Sequence, residues 1–340
     1  MPELPEVETV KNGIAQFAGK AEIVDVTVRN RRLRSVVPDG FETAVRGAKI
    51  KEYRRKGKYI VIDLDNGRSI IWHLGMSGRV KTVKSNAAPE EKHDHVIIKT
   101  SAGLLIFNDP RRFGLIYACP TAEVDRQPCF AAMGTDPFDP LLTPELLFER
   151  LQKRKTAIKP TLLDQKLIAG IGNIYASEIL FAAGIRPTRR ADRLSRRGCG
   201  RLLESVRAVL TKAIDNGGST LHDYHKPDGS LGYFQNLHCV YDKTGQRCPG
   251  CSCSPESGGG IRKIVQDGRT FNLFLPGETK MKTMTKTDTR RFKKLLPALL
   301  CFWLAAADAG GAEFIDGLED LPAMPGMSQL PNDNISFGND

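Results

Sequence analysis

The chain has 340 residues, enough for two or three compact units with a sizeable core, and its 50 Lys and Arg outnumber 39 Asp and Glu for a net charge of +11. Residues 1–271 carry 43 basic and 30 acidic side chains, so the basic body points to a polyanion, most often nucleic acid. Eight scattered cysteines do not form a disulfide framework, no N-terminal stretch reads as a signal peptide, and no run approaches the ~20 apolar residues of a membrane span, so a protein of the reducing cytoplasm is expected.

The first predicted element is a helix over 4–17, where Val7, Val10, Ile14 and Phe17 recur at helical spacing directly behind Met1-Pro2-Glu3. Removal of the initiator methionine, which a small second residue permits, leaves Pro2 as a free secondary amine. An α-amino group titrates near pH ~8, so part of it is uncharged and nucleophilic at neutral pH. An amine that attacks a sugar or carbonyl carbon can form a covalent imine. Glu3 and Glu6 then stand beside it as candidate proton carriers. The same residues also read as a plain helix start, with Pro5 at the first helical position and acidic side chains at the N-terminal dipole. On these residues alone both readings stand.

Strands dominate from about 21 to 118. Val24, Val26 and Val28 alternate, as do Ile60, Ile62 and Leu64, with Asn66-Gly67 as a hairpin turn before Ile70-Ile71-Trp72. A second pair, 96–99 and 104–107, flanks Ser101-Ala102-Gly103. The reading is a β-rich first domain over 1–130. Pro137, Pro140 and Pro144 mark a linker into a helical domain over 137–230. It holds a helix over 144–154 capped at Thr143-Pro144, a helix over 160–167, a Gly170-Ile171-Gly172-Asn173 turn and a helix over 174–183. A long helix of about 193–215 follows, with Leu202, Val206, Val209 and Ala213 on one face and a stop at Gly217-Gly218.

Short strand-like runs return over 231–271 around a cysteine cluster. Residues 272–340 differ in kind: a basic stretch at 281–294, an apolar run at 295–307, then seven acidic residues and no basic ones over 308–340. That is the layout of a secretory signal peptide in the wrong place. It suggests a frameshift or read-through, with an appended amphipathic helix as the alternative. No function is read from this tail.

Several separated stretches resemble formamidopyrimidine-DNA glycosylases, bacterial enzymes that remove 8-oxoguanine and ring-opened purines from DNA. They are Pro2-Glu3-Leu4-Pro5-Glu6-Val7-Glu8-Thr9, His73-Leu74-Gly75-Met76-Ser77-Gly78, Lys92-His93-Asp94-His95 and Asn108-Asp109-Pro110-Arg111-Arg112-Phe113-Gly114. The helical region adds Lys155-Thr156-Ala157-Ile158-Lys159-Pro160 and Gly170-Ile171-Gly172-Asn173-Ile174-Tyr175-Ala176-Ser177-Glu178. Six motifs in register over about 1–271 are not chance. The implied fold class is α+β multidomain: an N-terminal β-sandwich with a leading helix, a helix–two-turn–helix DNA-binding domain and a C-terminal zinc-finger hairpin, here degenerate over 231–271.

The resemblance implies that Pro2 attacks the deoxyribose C1′, expels the damaged base and leaves a Schiff base that unravels by strand cleavage. Glu3 is then a proton carrier and Glu6 a supporting residue. Lys58 matches the lysine of phosphate contact and proton transfer. The target nucleotide must be extruded from the duplex, and Met76, Arg111 and Phe113 match the residues that fill the vacated space. His93, Arg154 and Asn173 match backbone contacts. Asn173, read as lying just before a helix, is placed to offer its side chain and neighbouring N–H groups to a phosphate, or to act as a plain N-cap. Lys159 is assigned to lesion recognition, and Ser219 and Thr220 to a segment closing over the flipped base. Arg269 matches the hairpin arginine that grips phosphate.

The pattern breaks at the metal site. Cys248-Pro249-Gly250-Cys251 supplies one pair of zinc ligands, but the second pair expected after Phe271 is absent, and structural zinc takes four. Zn²⁺ is therefore expected from the family and doubtful in this chain. The leading expectation is a bifunctional glycosylase and apurinic-site lyase that acts as a monomer on double-stranded damaged DNA, in a bacterial cytoplasm at the nucleoid. The rivals are a non-catalytic damage binder, a relative of the sister group acting on oxidised pyrimidines, which begins with glycine where this chain has Leu4, and a Schiff-base enzyme for small carbonyl substrates.

Overall fold

The computed structural model describes residues 1–85, 91–220, 225–249, 260–266 and 269–274. The tail reading from 275 onward and Cys251 lie outside the described residues.

Two four-stranded antiparallel sheets build the N-terminal domain. One has the order β1-β6-β7-β5, from Ile23–Val28, Asp94–Thr100, Gly103–Asn108 and Arg79–Val83. The other has the order β2-β3-β4-β8, from Ile50–Lys56, Tyr59–Leu64, Arg68–His73 and Leu115–Pro120. Alternating apolar residues from both sheets meet in one core, where Trp72 of β4 packs edge-on against Phe107 of β7 at 5.3 Å between ring centroids. A short helix, α2 (Phe41–Val45), adds Phe41 and Val45 to this core.

Two strands depart from simple alternation. In β1, Ile23 and Val26 point inward while Val24 is exposed, because a bulge between Ile23 and Asp25 shifts the register against β6. In β3 every residue is buried. Ile60, Ile62 and Leu64 face the sandwich, whereas Tyr59 and Val61 pack behind the sheet against Val124 and Phe130 of the 121–131 segment, which ends in α3 (Pro128–Ala131).

The helical domain comprises α4 (Pro144–Gln152), α5 (Ile158–Leu163), α6 (Asn173–Ala182) and α7 (Arg196–Asp215). Thr143 and Ser195 cap α4 and α7 by accepting from Leu146 N at 3.2 Å and Gly198 N at 3.1 Å. The long helix ends at the predicted Gly217-Gly218, both with positive φ (74° and 77°). The helix read over 160–167 instead spans Ile158–Leu163, since Asp164 turns extended at its C-terminus. Arg207 of α7 donates to the carbonyls of Pro137, Asp139 and Leu142, which fixes the proline-rich linker against the domain.

The leading helix, α1 (Leu4–Ala18), belongs to both domains. Leu4 is part of the helical core, while Val7, Val10 and Ile14 are part of the sandwich core. The residues behind the N-terminus are thereby held at the domain junction. At the other end a hairpin pairs β9 (Ile261–Gln266) with β10 (Arg269–Phe274). It extends three residues past the boundary read at 271.

Candidate active site and nucleic-acid interface

Pro2, Glu3 and Glu6 are buried, and their surroundings come from residues far away in sequence. The Glu3 carboxylate accepts from the backbone N–H groups of Gly172 (2.8 Å), Ile174 (2.8 Å) and Tyr175 (3.2 Å) at the start of α6. Gly172 is required here, because a Cβ at this position would lie 2.4 Å from the Glu3 carboxyl carbon. Leu4 N donates to Gly170 O at 3.0 Å, so the whole start of α1 is stitched to the 170–175 turn.

This corrects the reading of Asn173. It is the first residue of α6, not the one before it, and Gly172 is the N-cap. Three of the N–H groups around Asn173, those of Gly172, Ile174 and Tyr175, are occupied by Glu3. The Asn173 side-chain oxygen is enclosed and has no hydrogen-bond partner among the described residues.

Glu6 is the second joint. Its carboxylate accepts from Glu3 N (2.8 Å), Ser219 N (2.7 Å) and the Tyr175 hydroxyl (2.5 Å). The Ser219 hydroxyl also lies 3.0 Å from His238 Nε2. Burial raises the Glu6 pKa, and these hydrogen bonds oppose that rise. Ser219 thus has a defined contact: it ties the segment after α7 to α1. Thr220 turns the other way, donating its N–H to Gln235 Oε1 at 2.9 Å.

Lys58 lies in the β2–β3 turn and is 2 % exposed, so it is not a solvated surface charge. The turn is fixed by Arg55, which pairs with Glu8 of α1 at 2.8 Å and with Asp136 of the linker at 2.7 Å. Neither Arg55 nor Asp136 stands out in sequence. Beside Lys58, the His73 ring packs on Tyr59 at 4.6 Å and accepts a hydrogen bond from Gly75 N at its Nδ1 (3.0 Å).

Burial, with Arg34 and Lys58 nearby, pushes the His73 pKa down to about 3. An unfolded histidine binds its proton near ~6.5. Stability from His73 is therefore complete above about pH 6.5 and lost as pH falls toward 3, at about 1.4 kcal/mol per pH unit. Glu6, with a raised pKa, works in the opposite sense. Denaturant titrations between pH 7 and 4 are expected to show a shallower loss in His73→Gln than in the wild-type chain. Identical slopes would remove His73 as the source.

Met76 and Phe113 sit on two loops that meet back to back. A Cβ on Gly75, which has φ +66°, would lie 2.4 Å from the Phe113 carbonyl carbon. Asp109 holds both loops: it accepts from the Ser77 hydroxyl (2.6 Å) and from Gly114 N (2.7 Å), and its carbonyl lies 2.8 Å from His95 Nε2. Arg111 is exposed, its guanidinium 4.8 Å from the Phe113 ring centroid, and Arg112 adopts a left-handed φ of 59° at the loop tip. A half-exposed Met and Phe with an exposed Arg, on loops braced from below, form a wedge suited to entering a base stack.

The other expected contacts are placed differently. His93 is half-buried beside His95, at 6.3 Å between rings. Arg154 is ion-paired with Asp164 at 2.8 Å, so a phosphate would have to compete for it. Lys159 is fully buried and donates to the Ser177 hydroxyl at 2.7 Å between α5 and α6, an interior position that does not suit direct lesion recognition. Arg269 opens β10.

Glu178, which carries no sequence signature for this role, accepts from the N–H groups of Cys239 (2.7 Å), Val240 (2.9 Å) and Tyr241 (2.7 Å). This fastens the segment leading to the hairpin onto α6. Cys248 is buried, and among the described residues no group of three or more His, Cys, Asp or Glu could hold a metal ion. The described residues do not make a four-ligand zinc site.

A buried Pro2-Glu3 start tied into the α6 turn, a wedge of two loops and a sheet-plus-helix architecture define a DNA-contacting protein of the helix–two-turn–helix class. Family comparison agrees: the formamidopyrimidine-DNA glycosylase N-terminal domain matches residues 1–116 and its H2TH domain residues 133–225. The chain belongs to the formamidopyrimidine-DNA glycosylase family. It is 44 % identical over 270 residues to the formamidopyrimidine-DNA glycosylase of Acidiphilium cryptum, spanning 79 % of this chain and 96 % of the relative. The Rhodospirillum rubrum enzyme of the same name is 42 % identical, at 79 % and 97 % coverage.

Among solved structures, a Lactococcus lactis FPG variant in complex with Fapy-dG-containing DNA superposes with a TM-score of 0.72 at 33 % identity, covering 80 % of this chain and 98 % of that one. The MutM (FPG) protein of Thermus thermophilus gives 0.71 at 32 % identity, covering 81 % and 97 %. No helix among the described residues is long and apolar enough to cross a membrane.

Proposed function

We propose that this chain is a base-excision-repair DNA glycosylase with apurinic-site lyase activity, acting in the cytoplasm on oxidised and ring-opened purines in duplex DNA. The observation that carries the reading is the anchoring of the Pro2-Glu3 start into the α6 turn by three hydrogen bonds to Glu3. That tie holds Pro2 at the junction of the two domains, where this reading puts the nucleophile.

In the proposed sequence the Pro2 nitrogen bonds to C1′ as the base–sugar bond breaks; the base departs with a proton from solvent, and the proton shed by the Pro2 nitrogen passes to the Glu3 carboxylate. Opening of the C1′–O4′ bond then leaves an iminium, with the proton on the ring oxygen coming from Glu3. Glu3 is held by three backbone donors beforehand, so this transfer requires one of those bonds to be given up. The iminium withdraws electrons and acidifies the C2′ proton; its loss expels the 3′-phosphate and cuts the strand. Lys58, near the His73 ring, is the residue assigned to phosphate contact and proton movement in this step.

The test uses the full-length chain, an 8-oxoguanine:cytosine duplex and borohydride. A covalent protein–DNA adduct together with strand nicking is the expected result. Binding without an adduct would instead select the damage-binder reading, and an adduct only with oxidised pyrimidines would select the sister group.

A further inference from the structure

The sheet domain has five half-buried arginines, and four of them hold a carboxylate. Arg31 pairs with Glu42 at 2.5 Å, Arg54 with Asp63 at 2.6 Å, Arg55 with Glu8 at 2.8 Å and Arg79 with Glu91 at 3.2 Å. Arg34 is the exception. Its guanidinium has no ion pair or hydrogen bond among the described residues, and its Nη1 atom is enclosed without a partner. An unpaired guanidinium in a half-buried setting lowers stability, so its position calls for an explanation beyond packing.

That position is at the wedge. Arg34 N donates to the carbonyl of Gly114, the residue directly after Phe113, at 3.1 Å. Tyr59 and His73, the tilted ring pair beside Lys58, lie close enough to feel the Arg34 charge. Burial makes His73 neutral, so it adds no competing cation. Arg34 thus holds an uncompensated charge between the Arg111–Phe113 loop and the Lys58 turn, with part of its side chain still open to solvent.

We propose that Arg34 is a DNA-phosphate ligand: its guanidinium is paired only when a backbone phosphate of the bound duplex comes to rest between the wedge loop and the Lys58 turn. The inference rests on the DNA-glycosylase reading above. It gives a reason for the missing carboxylate, since an internal partner would have to be displaced each time DNA bound. A planar guanidinium is also the side chain suited to two hydrogen bonds with one phosphate.

The test measures binding of the full chain to a duplex with a tetrahydrofuran abasic-site analogue across a KCl series. Arg34→Met is expected to weaken binding roughly tenfold at moderate salt and to make the slope of log K against log[KCl] shallower by about 0.9, the loss of one phosphate contact. Its Tm is expected to equal or exceed that of the wild type, because an unpaired charge has been removed. Arg34→Lys should keep the slope. Arg34→Gln is a second neutral variant should Arg34→Met fail to fold. A neutral variant with the wild-type slope, or one whose weaker binding accompanies a lower Tm, would overturn the assignment and leave Arg34 as a packing residue. A wild-type chain that does not bind the duplex at all would instead remove the glycosylase reading itself.

Discussion

Glu3→Gln is expected to slow base excision by a factor of about 10²–10⁴ and to lower the melting temperature by about 4–8 °C, the equivalent of ~2 kcal/mol in a body of this size. Both effects follow from one set of contacts. The carboxylate has two oxygens and takes three backbone N–H groups of the 172–175 turn. Glutamine keeps one oxygen and turns an amide NH₂ toward a backbone donor, so at least one N–H at the buried start of α6 loses its acceptor. Because Gly172 admits no side chain here, no neighbour fills the gap. Calorimetry and single-turnover excision together divide the roles. A wild-type Tm with excision lost would make Glu3 a proton carrier only; a lowered Tm with excision intact would make it an interdomain clasp only.

What sequence makes visible in this chain is what leaves a local trace. The period of Val7, Val10 and Ile14 marks α1, and Gly217-Gly218 marks the end of α7. The motif around Asp-Pro-Arg-Arg-Phe marks the wedge. The contacts that position the site leave no such trace. Glu3 reaches the 172–175 turn, and Glu6 reaches Ser219 at a separation of 213 residues. Glu178 collects the N–H groups of 239–241, and Arg55 joins Glu8 to Asp136. No periodicity encodes pairings between domains.

Glycines are the faint signs of these approaches, since Gly172 and Gly75 sit where a Cβ would collide. Lys159 and Asn173 show the converse. Their motif is legible, but the depth of Lys159 and the capping of α6 by a distant carboxylate depend on how α1 docks. The burial of β3 on both faces depends likewise on the 121–131 segment folding behind the sheet.

The structure also sharpens what is expected of the nucleophile. Pro2 is buried, and the bond from Glu3 N to Glu6 Oε2 at 2.8 Å fixes the backbone directly after it. The amine therefore has little room to shift by one residue. Pro2→Leu, whose bulkier second residue leaves Met1 in place, is expected to give no borohydride-trapped adduct, because the free amine is displaced from the anchored position. Pro2→Gly still permits methionine removal and presents a primary amine at the same point. It should form an adduct, but a Schiff base from a primary amine can lose its proton, whereas the iminium from proline has none to lose. Strand cleavage by Pro2→Gly is accordingly expected to decline with rising pH more steeply than in the wild type, where the electron sink stays cationic. Mass spectrometry of the intact N-terminus, run beside trapping at pH 6 to 9, checks both variants. A full adduct from a Met1-retaining chain would place the nucleophile elsewhere. Parallel pH profiles for Pro2→Gly and wild type would mean that loss of charge on the imine does not limit the elimination.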